Sequence, residues 1–312
     1  MFHANSTFQC AVTVPMIMAL VKCVALCMDA KWRLNSAGVP MHALIGIWQR
    51  CKAKAGEAAN PTTDCTFEAG HFHHDASLLA MVLSNRDNFH VHRVPFQALR
   101  RLMPCADPLC LHRIKLVADP RGYHLERKCA NRMPFNPIVM LDKSGAAARG
   151  ISSLGLVFFI CAFHVYMAVI DYCDHKLRIR DPSTLVAVVL IFKYCRSGRT
   201  LVDVRVRWAK CKLDVLGKLD LKYLLAAGAG GRTAEEGLVK YMEEEWLDDR
   251  WIRSWTIAGR LWDQNNSPLP RWVMNWIWTN NYVERFWIDV IAWLNRHTVR
   301  MSCCSYMLLS PL

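Results

Sequence analysis

Acidic side chains are scarce in this chain. Its 312 residues carry 26 Asp and Glu against 39 Lys and Arg, a formal charge of +13 with an isoelectric point near 9.2. That balance favours a polyanionic partner, nucleic acid first, because each phosphate neutralised by Lys or Arg releases counterions; ribosomal, membrane-surface and mitochondrial proteins share it. Internal repeats and low-complexity tracts are lacking, which excludes a repeat array. No cleavable signal is recognisable. A clean membrane span is missing too: the run from Phe8 to Met28 contains Pro15 and Lys22, and the run from Leu154 to Ile170 contains His164. With 53% hydrophobic and 21% charged residues the composition is that of a globular chain and not a disordered tail. What is abundant is cysteine, fourteen in all. Cys23, Cys27, Cys161 and Cys173 sit inside apolar runs and read as small buried hydrophobes in a reducing compartment.

The apolar runs set out an α/β plan. Met16 to Cys27 reads as a buried strand that stops at Asp29. Val39 to Trp48 is a second strand after the turn Asn35-Ser36-Ala37-Gly38, so the two pair as a hairpin. Gln49 to Asp75, with His71, His73 and His74, reads as a solvated loop, and Ser77 to Leu83 as a third strand. Val94 to Met103 has helical spacing, with Phe96, Leu99 and Leu102 on one face, and Pro104 stops it. Residues 105–137 have no clear period and read as an irregular excursion. Ile138 to Leu141 is a fourth strand ending in Asp142, Lys143 to Ile151 a helix, and Val157 to Tyr166 a buried strand passing into helix. From there to about Trp255 the pattern is mostly helical, although Leu185 to Phe192 is β-branched enough to be a strand. Asn265 to Pro270 is a linker, and a closing helix follows Thr279-Asn280-Asn281. The plan is β-β-β-α-β-α-β, a helical block, then one helix: a core from 16 to 166, an insertion from 167 to 275, a closing helix from 276 to 300 and a tail from 301 to 312.

Three carboxylates stand out. Asp29 and Asp142 each end an apolar run, and Glu284 lies one turn into the closing helix. Phosphoryl transfer by two Mg²⁺ ions about 4 Å apart needs carboxylates from separate parts of a chain to converge, and Mg²⁺ takes oxygen ligands while keeping several waters. If the first and fourth strands are neighbours, Asp29 and Asp142 sit side by side. Each residue also has a plainer reading. Asp142 before Lys143-Ser144-Gly145 is placed to cap the next helix, and Glu284 to meet a helix dipole.

Three local motifs resemble the Mutator-like element (MULE) transposase domain. They are Met28-Asp29-Ala30-Lys31-Trp32-Arg33-Leu34-Asn35 with the following Gly38 to Leu44; Ile138 to Asp142 with Ile160-Cys161-Ala162-Phe163-His164-Val165; and Thr279-Asn280-Asn281-Tyr282-Val283-Glu284-Arg285-Phe286. The resemblance spans about 16 to 298. It implies an RNase H-like mixed sheet flanked by helices, with a large all-helical insertion before the last catalytic helix. It further implies a catalytic triad of Asp29, Asp142 and Glu284 holding two Mg²⁺ or Mn²⁺ ions. Cys161 and His164, as a Cys-x-x-His motif, and Asn281 would be signature residues near the site. The implied activity is DNA phosphodiester hydrolysis and strand transfer. The implied partners are transposon ends and target DNA, the implied assembly is a homo-oligomer, and the location is nuclear, with no membrane. Where the family usually has Gly-Thr after the first aspartate, this chain has Ala30-Lys31. No DNA-binding zinc domain is expected before Asp29 and no zinc finger after Arg300, so a non-catalytic, transposase-derived DNA-binding or regulatory protein is the alternative expectation.

Other clusters point elsewhere. Cys105, Cys110, His112, His124 and Cys129 would supply a zinc site in the excursion, though the Cys-x4-Cys-x-His spacing is unusual and no Cys-x2-Cys accompanies it. Arg100, Arg101, Arg113, Lys115, Arg121, Arg127 and Lys128 form the densest basic region, read either as contacts to DNA phosphates or as a solvated face. The tryptophans from Trp246 to Trp293 either stack on splayed bases or pack between helices. Glu243, Glu244 and Glu245 read as a solvated helix face.

Overall fold

The computed structural model describes residues 8–11, 20, 23–31, 39–51, 72–84, 87–103, 105, 107, 113–116, 119–124, 132–214, 231–266 and 281–297. The chain divides into two compact units, Met1–Phe158 with Asn280–Leu312, and Phe159–Thr279.

The first unit is α/β. Its strands are β1 (Phe8–Ala11), β2 (Ala25–Lys31), β3 (Met41–Cys51), β4 (Phe72–Ser84) and β7 (Ile138–Leu141), with the hairpin β5 (Arg113–Leu116) and β6 (Asp119–His124) forming a separate two-stranded sheet; β8 (Phe158–Ile160) spans the division between the units. The main sheet is mixed, in the order β1-β4-β3-β2-β7-β8. β2 runs antiparallel to β3 and parallel to β7. A parallel neighbour requires a crossover, and the chain between β3 and β7 supplies it with β4 and helix α1 (Phe89–Leu102). Helix α2 (Gly145–Ser152) follows β7, and α9 (Asn281–His297) closes the unit.

Burial divides the sheet by face. Leu26 and Met28 of β2, Leu44 of β3, Val82 of β4 and Val139 and Leu141 of β7 share one core with Val91, Phe96 and Leu99 of α1 and Ala147 and Ile151 of α2. Since successive strand residues alternate faces, Cys27 and Asp29 of β2, and Ile138 and Met140 of β7, point to the other side. Helix α9 packs against β2 and β3, burying Val283 and Trp287.

Several expectations are corrected here. The stretch read as a loop from Gln49 to Asp75 has paired ends, with His73 opposite Arg50, His74 opposite Gln49 and Asp75 opposite Trp48. Polar residues at the end of a hairpin pair through their backbones, and side-chain polarity does not report that. The excursion is not wholly irregular, since it holds the β5–β6 hairpin. Helix α1 begins at Phe89, capped by Asn88, whose side chain accepts from His90 N and Val91 N, and Pro95 lies inside it. An internal proline normally breaks a helix, and the apolar face carried by Val91, Phe96 and Leu99 offsets it. The strand expected from Val157 to Tyr166 is only the three residues of β8.

The second unit is helical: α3 (Ala162–His175), α4 (Pro182–Arg196), α5 (Leu201–Asp214), α6 (Gly231–Tyr241), a π-helical turn (Met242–Trp246), α7 (Asp249–Trp255) and α8 (Ile257–Asn266). The segment from Leu185 to Phe192 is helix and not strand. Asp181 caps α4 by accepting from Thr184 N at 2.8 Å, with Pro182 in the first turn, and both features favour a helix start. The unit's core includes Val165, Val169 and Cys173 of α3, Phe192 of α4, Trp208 of α5, and Trp246 and Trp255. Trp246 and Trp255 meet edge to face with centroids 5.7 Å apart, and Trp255 Nε1 donates to the Trp246 carbonyl at 2.8 Å. These two, with Trp287 in the first unit, are buried and so are core rather than base-stacking platforms; Trp251 is partly buried against the same core, and Trp262, Trp272, Trp276, Trp278 and Trp293 have side chains outside the described residues. Glu243 is not merely solvated: its carboxylate accepts from Lys212 Nζ at 2.8 Å and Trp208 Nε1 at 3.1 Å, and the Lys212 bond holds it below the usual carboxylate range.

Among the described residues no helix is long and apolar enough to cross a membrane. Cys23, Cys27, Cys105, Cys161, Cys173, Cys195 and Cys211 are not disulfide-bonded. Burial pushes the thiols of Cys23, Cys173 and Cys195 up to about 12, so they pack as apolar side chains and are poor nucleophiles.

Candidate carboxylate site

The parallel pairing of β2 with β7 sets Ala25 opposite Ile138, Leu26 opposite Val139 and Cys27 opposite Met140. Continued two residues past its last pair, and past the end of β7 at Leu141, the same register would set Asp29 level with Asp142. Neighbouring strands lie about 4.8 Å apart. Alternation puts Asp29 on the face away from α1 and α2, Asp142 follows the last residue of β7, and both are half-buried. Asp29, Asp142 and Glu284, all described residues, do not have ligand atoms all within 4.8 Å of one another. Their all-oxygen donor set suits Mg²⁺ or Mn²⁺.

Local structure prepares each aspartate. Ala30 N–H donates to Asp29 Oδ1 at 2.7 Å. Asp142 is not the cap of α2; that role falls to Ser144, whose hydroxyl accepts from Ala147 N at 3.2 Å. The plainer reading of Asp142 is therefore taken by its neighbour.

The third carboxylate comes from α9. Asn281 is its first residue and exposed, Glu284 is half-buried in its first turn, and Val283 beside it is buried. Tyr282, in the same turn, is held near Cys27, and burial followed by Cys27 raises its hydroxyl above the usual range. Cys27 shares its face of β2 with Asp29. The first turn of α9 thus lies over the strand that carries Asp29, on the aspartate face.

Cys161 and His164 belong to the helical unit. Cys161 is buried at the start of α3, His164 lies in its first turn, and Cys161 Sγ and a His164 ring nitrogen are within 4.8 Å of each other. They sit at a helix start and not in the strand where they were expected.

The remaining expectations divide. Arg100, read as a phosphate contact, is committed to the fold: its guanidinium donates to Phe135 O at 3.2 Å, Asn136 Oδ1 at 3.0 Å and Leu154 O at 2.9 Å. Arg101 is exposed at the end of α1, and Arg121 lies in β6. Arg127, Lys128, Cys110, His112 and Cys129 fall outside the described residues. Cys105 is buried and forms an isolated bridge with Arg132.

One cluster escaped the sequence reading. His42 of β3 and His92 of α1 are both buried and meet edge to face with centroids 5.4 Å apart, and His92 Nε2 is 2.5 Å from Asp87 Oδ1. The signal was available in Asp87-Asn88, which starts a helix and leaves a histidine one turn along. Burial, then the His92 charge, with Asp87 opposing, lowers His42 from its ordinary 6.5 to about 4. A depressed histidine favours the folded state when neutral, so its contribution is complete above pH 6.5 and is lost as pH falls towards 4. Denaturant unfolding at pH 7 and pH 4.5 is expected to show the wild type losing about 2–3 kcal/mol more than His42→Leu. Equal losses would remove His42 from the acid sensitivity.

Comparison of the chain with protein-family models, curated proteins and solved structures finds no match in any of the three.

Proposed function

We propose that the first unit is a transposase-type catalytic core with an RNase H-like sheet, related to the MULE domain, that cuts and rejoins DNA. The observation that supports the reading is the β2–β7 register: continued two residues past its last pair, Cys27 opposite Met140, it would set Asp29 level with Asp142, 113 residues away in sequence (142 minus 29). The element order is compatible with it: four strands, a helix, the β5–β6 hairpin, a strand, a helix, a strand, a helical block and a closing helix. The charge of +13 suits a DNA partner. A nuclear homo-oligomer acting on element ends and target DNA belongs to the same proposal.

Asp29 and Asp142 would hold the ions, with Glu284 completing the set from α9. When bound, Mg²⁺ supplies an activated water and charge neutralisation at the phosphate. The protein's part is to fix the two aspartates on adjacent strands, with the Ala30 N–H orienting the Asp29 carboxylate, and to roof the face with Val283 and Trp287. A supercoiled plasmid incubated with the full chain should be nicked with Mg²⁺ and left intact with EDTA. DNA binding without nicking would overturn the enzymatic reading and leave the non-catalytic, transposase-derived one.

A further inference from the structure

Helices α4 and α5 pack against each other, and each has a buried side: Val188, Ile191 and Phe192 of α4 and Val204 and Trp208 of α5 belong to the core of the helical unit. Each also carries an exposed apolar row. Val186, Leu190 and Tyr194 recur every four residues along α4, as do Val202 and Val206 on α5, and all five are between 42% and 69% exposed. A spacing of four keeps side chains on one stripe of a helix. The rows border one seam. Arg207 of α5 lies over the Tyr194 ring at 4.8 Å, donates to the Tyr194 carbonyl at 3.2 Å and pairs with Asp203 at 2.9 Å. Single exposed apolar residues are ordinary, but rows of them rimmed by charge mark an interaction surface. The rim here is basic. Residues 182–214 hold seven Lys and Arg against two Asp, a net +5 (7 minus 2). Arg205, Arg207 and Lys212 are each paired with a carboxylate. Lys193, next to Tyr194, and Arg199 and Lys210, which bracket the α5 row, are exposed and form no salt bridge among the described residues.

We propose that this face docks an acidic amphipathic helix of a partner protein, its apolar stripe laid along the two rows and its carboxylates meeting Lys193, Arg199 and Lys210. Other occupants fit less well. A second copy packed face to face would set the cations against their own image, since a two-fold contact pairs a patch with itself. DNA would meet the cations but leave the apolar rows in water. An anionic bilayer would have to take in the Asp203–Arg207 pair at the seam, whereas a helix that lies in a membrane surface keeps its charges on the opposite face. The face lies wholly within the helical unit and stands or falls apart from the carboxylate site.

Fluorescence anisotropy of the full chain with a stapled helix of about 18 residues, slightly longer than α4, tests it. The probe carries leucines on one stripe and glutamates elsewhere; its control has the same composition with the leucines spread round the helix. Saturable binding of the probe is expected, with the control about tenfold weaker or worse, because charge is common to both. Leu190→Ser and Val206→Ser should each weaken the probe about tenfold, and Lys210→Gln about threefold, the Lys210 effect fading at high salt. Equal affinity for the two peptides, absence of saturable binding, or unaltered binding by variants that melt with the wild type overturns the proposal. Three other results overturn it by naming a different occupant. A dimer that Leu190→Ser dissociates assigns the face to a second copy, a loss of short-duplex affinity in Leu190→Ser assigns it to DNA, and a loss of binding to phosphatidylserine vesicles assigns it to a membrane. Should Leu190→Ser fail to fold, Val206→Ser decides in its place.

Discussion

Asp142→Asn is expected to lower Mg²⁺-dependent nicking about a thousandfold, and Asp29→Asn to do the same, because ion-held charge stabilisation of a phosphoryl transfer is worth several kcal/mol. Asparagine keeps the shape and one oxygen of the side chain but removes the charge that a hard cation requires. Asp142 stands at a strand end outside the main core, and Ser144 caps the following helix in its place. Metal-free unfolding should therefore move by no more than about 0.5 kcal/mol. The combination matters, since a loss of nicking together with a large loss of stability would assign Asp142 to the fold. Glu284→Gln should follow the same pattern if α9 supplies the third ligand. Retained nicking in Glu284→Gln would confine the site to the two aspartates.

Gly259→Ala is expected to destabilise the helical unit by at least about 3 kcal/mol. A Cβ at this position would lie 1.8 Å from the Arg253 carbonyl oxygen and 2.5 Å from the Arg253 Cα. These are backbone atoms, so no rotamer change can make room. The close approach follows from the sharp joint between α7 and α8. Thr256, fully buried, breaks the helix in extended conformation, and its hydroxyl both donates to Ile252 O at 2.6 Å and accepts from Gly259 N at 3.3 Å. Gly145→Ala is the matched control. Nothing lies within 4 Å of a Cβ there, and alanine at a helix start should be neutral or stabilising by a few tenths of a kcal/mol. Thermal unfolding of both variants reads the difference, and equal melting temperatures would contradict the packing described for this joint.

The sheet's centre was legible in the sequence because its strands are buried on both faces. Met16 to Cys27, apolar but for Lys22, and Ile138 to Leu141 read as buried strands ending at an aspartate, though the first strand in fact starts at Ala25 and runs through Asp29 to Lys31. The hairpin of β2 and β3 was legible from its turn residues. The far ends of β3 and β4 were not, since residues such as Arg50 and His73 there pair through their backbones while their side chains are polar. Leu185 to Phe192 was ambiguous because Val186, Val188, Val189 and Ile191 are β-branched; the cap at Asp181-Pro182 carried the answer. Tertiary partnerships are the least legible. Nothing in the spacing of His42 and His92, or of Tyr166 and Arg196, announces that they meet, because each pair joins elements whose packing is decided by the apolar faces around them.

The account rests on Asp29 and Asp142 sharing divalent ions across the β2–β7 seam. A crystal structure of the full chain soaked in Mn²⁺ tests this most directly, because manganese is visible through its anomalous scattering. The expected result is an anomalous peak within about 2.0–2.6 Å of carboxylate oxygens from both aspartates, absent in crystals of Asp142→Asn. Carboxylates turned away from each other, with no manganese between them at saturating concentration, would contradict it.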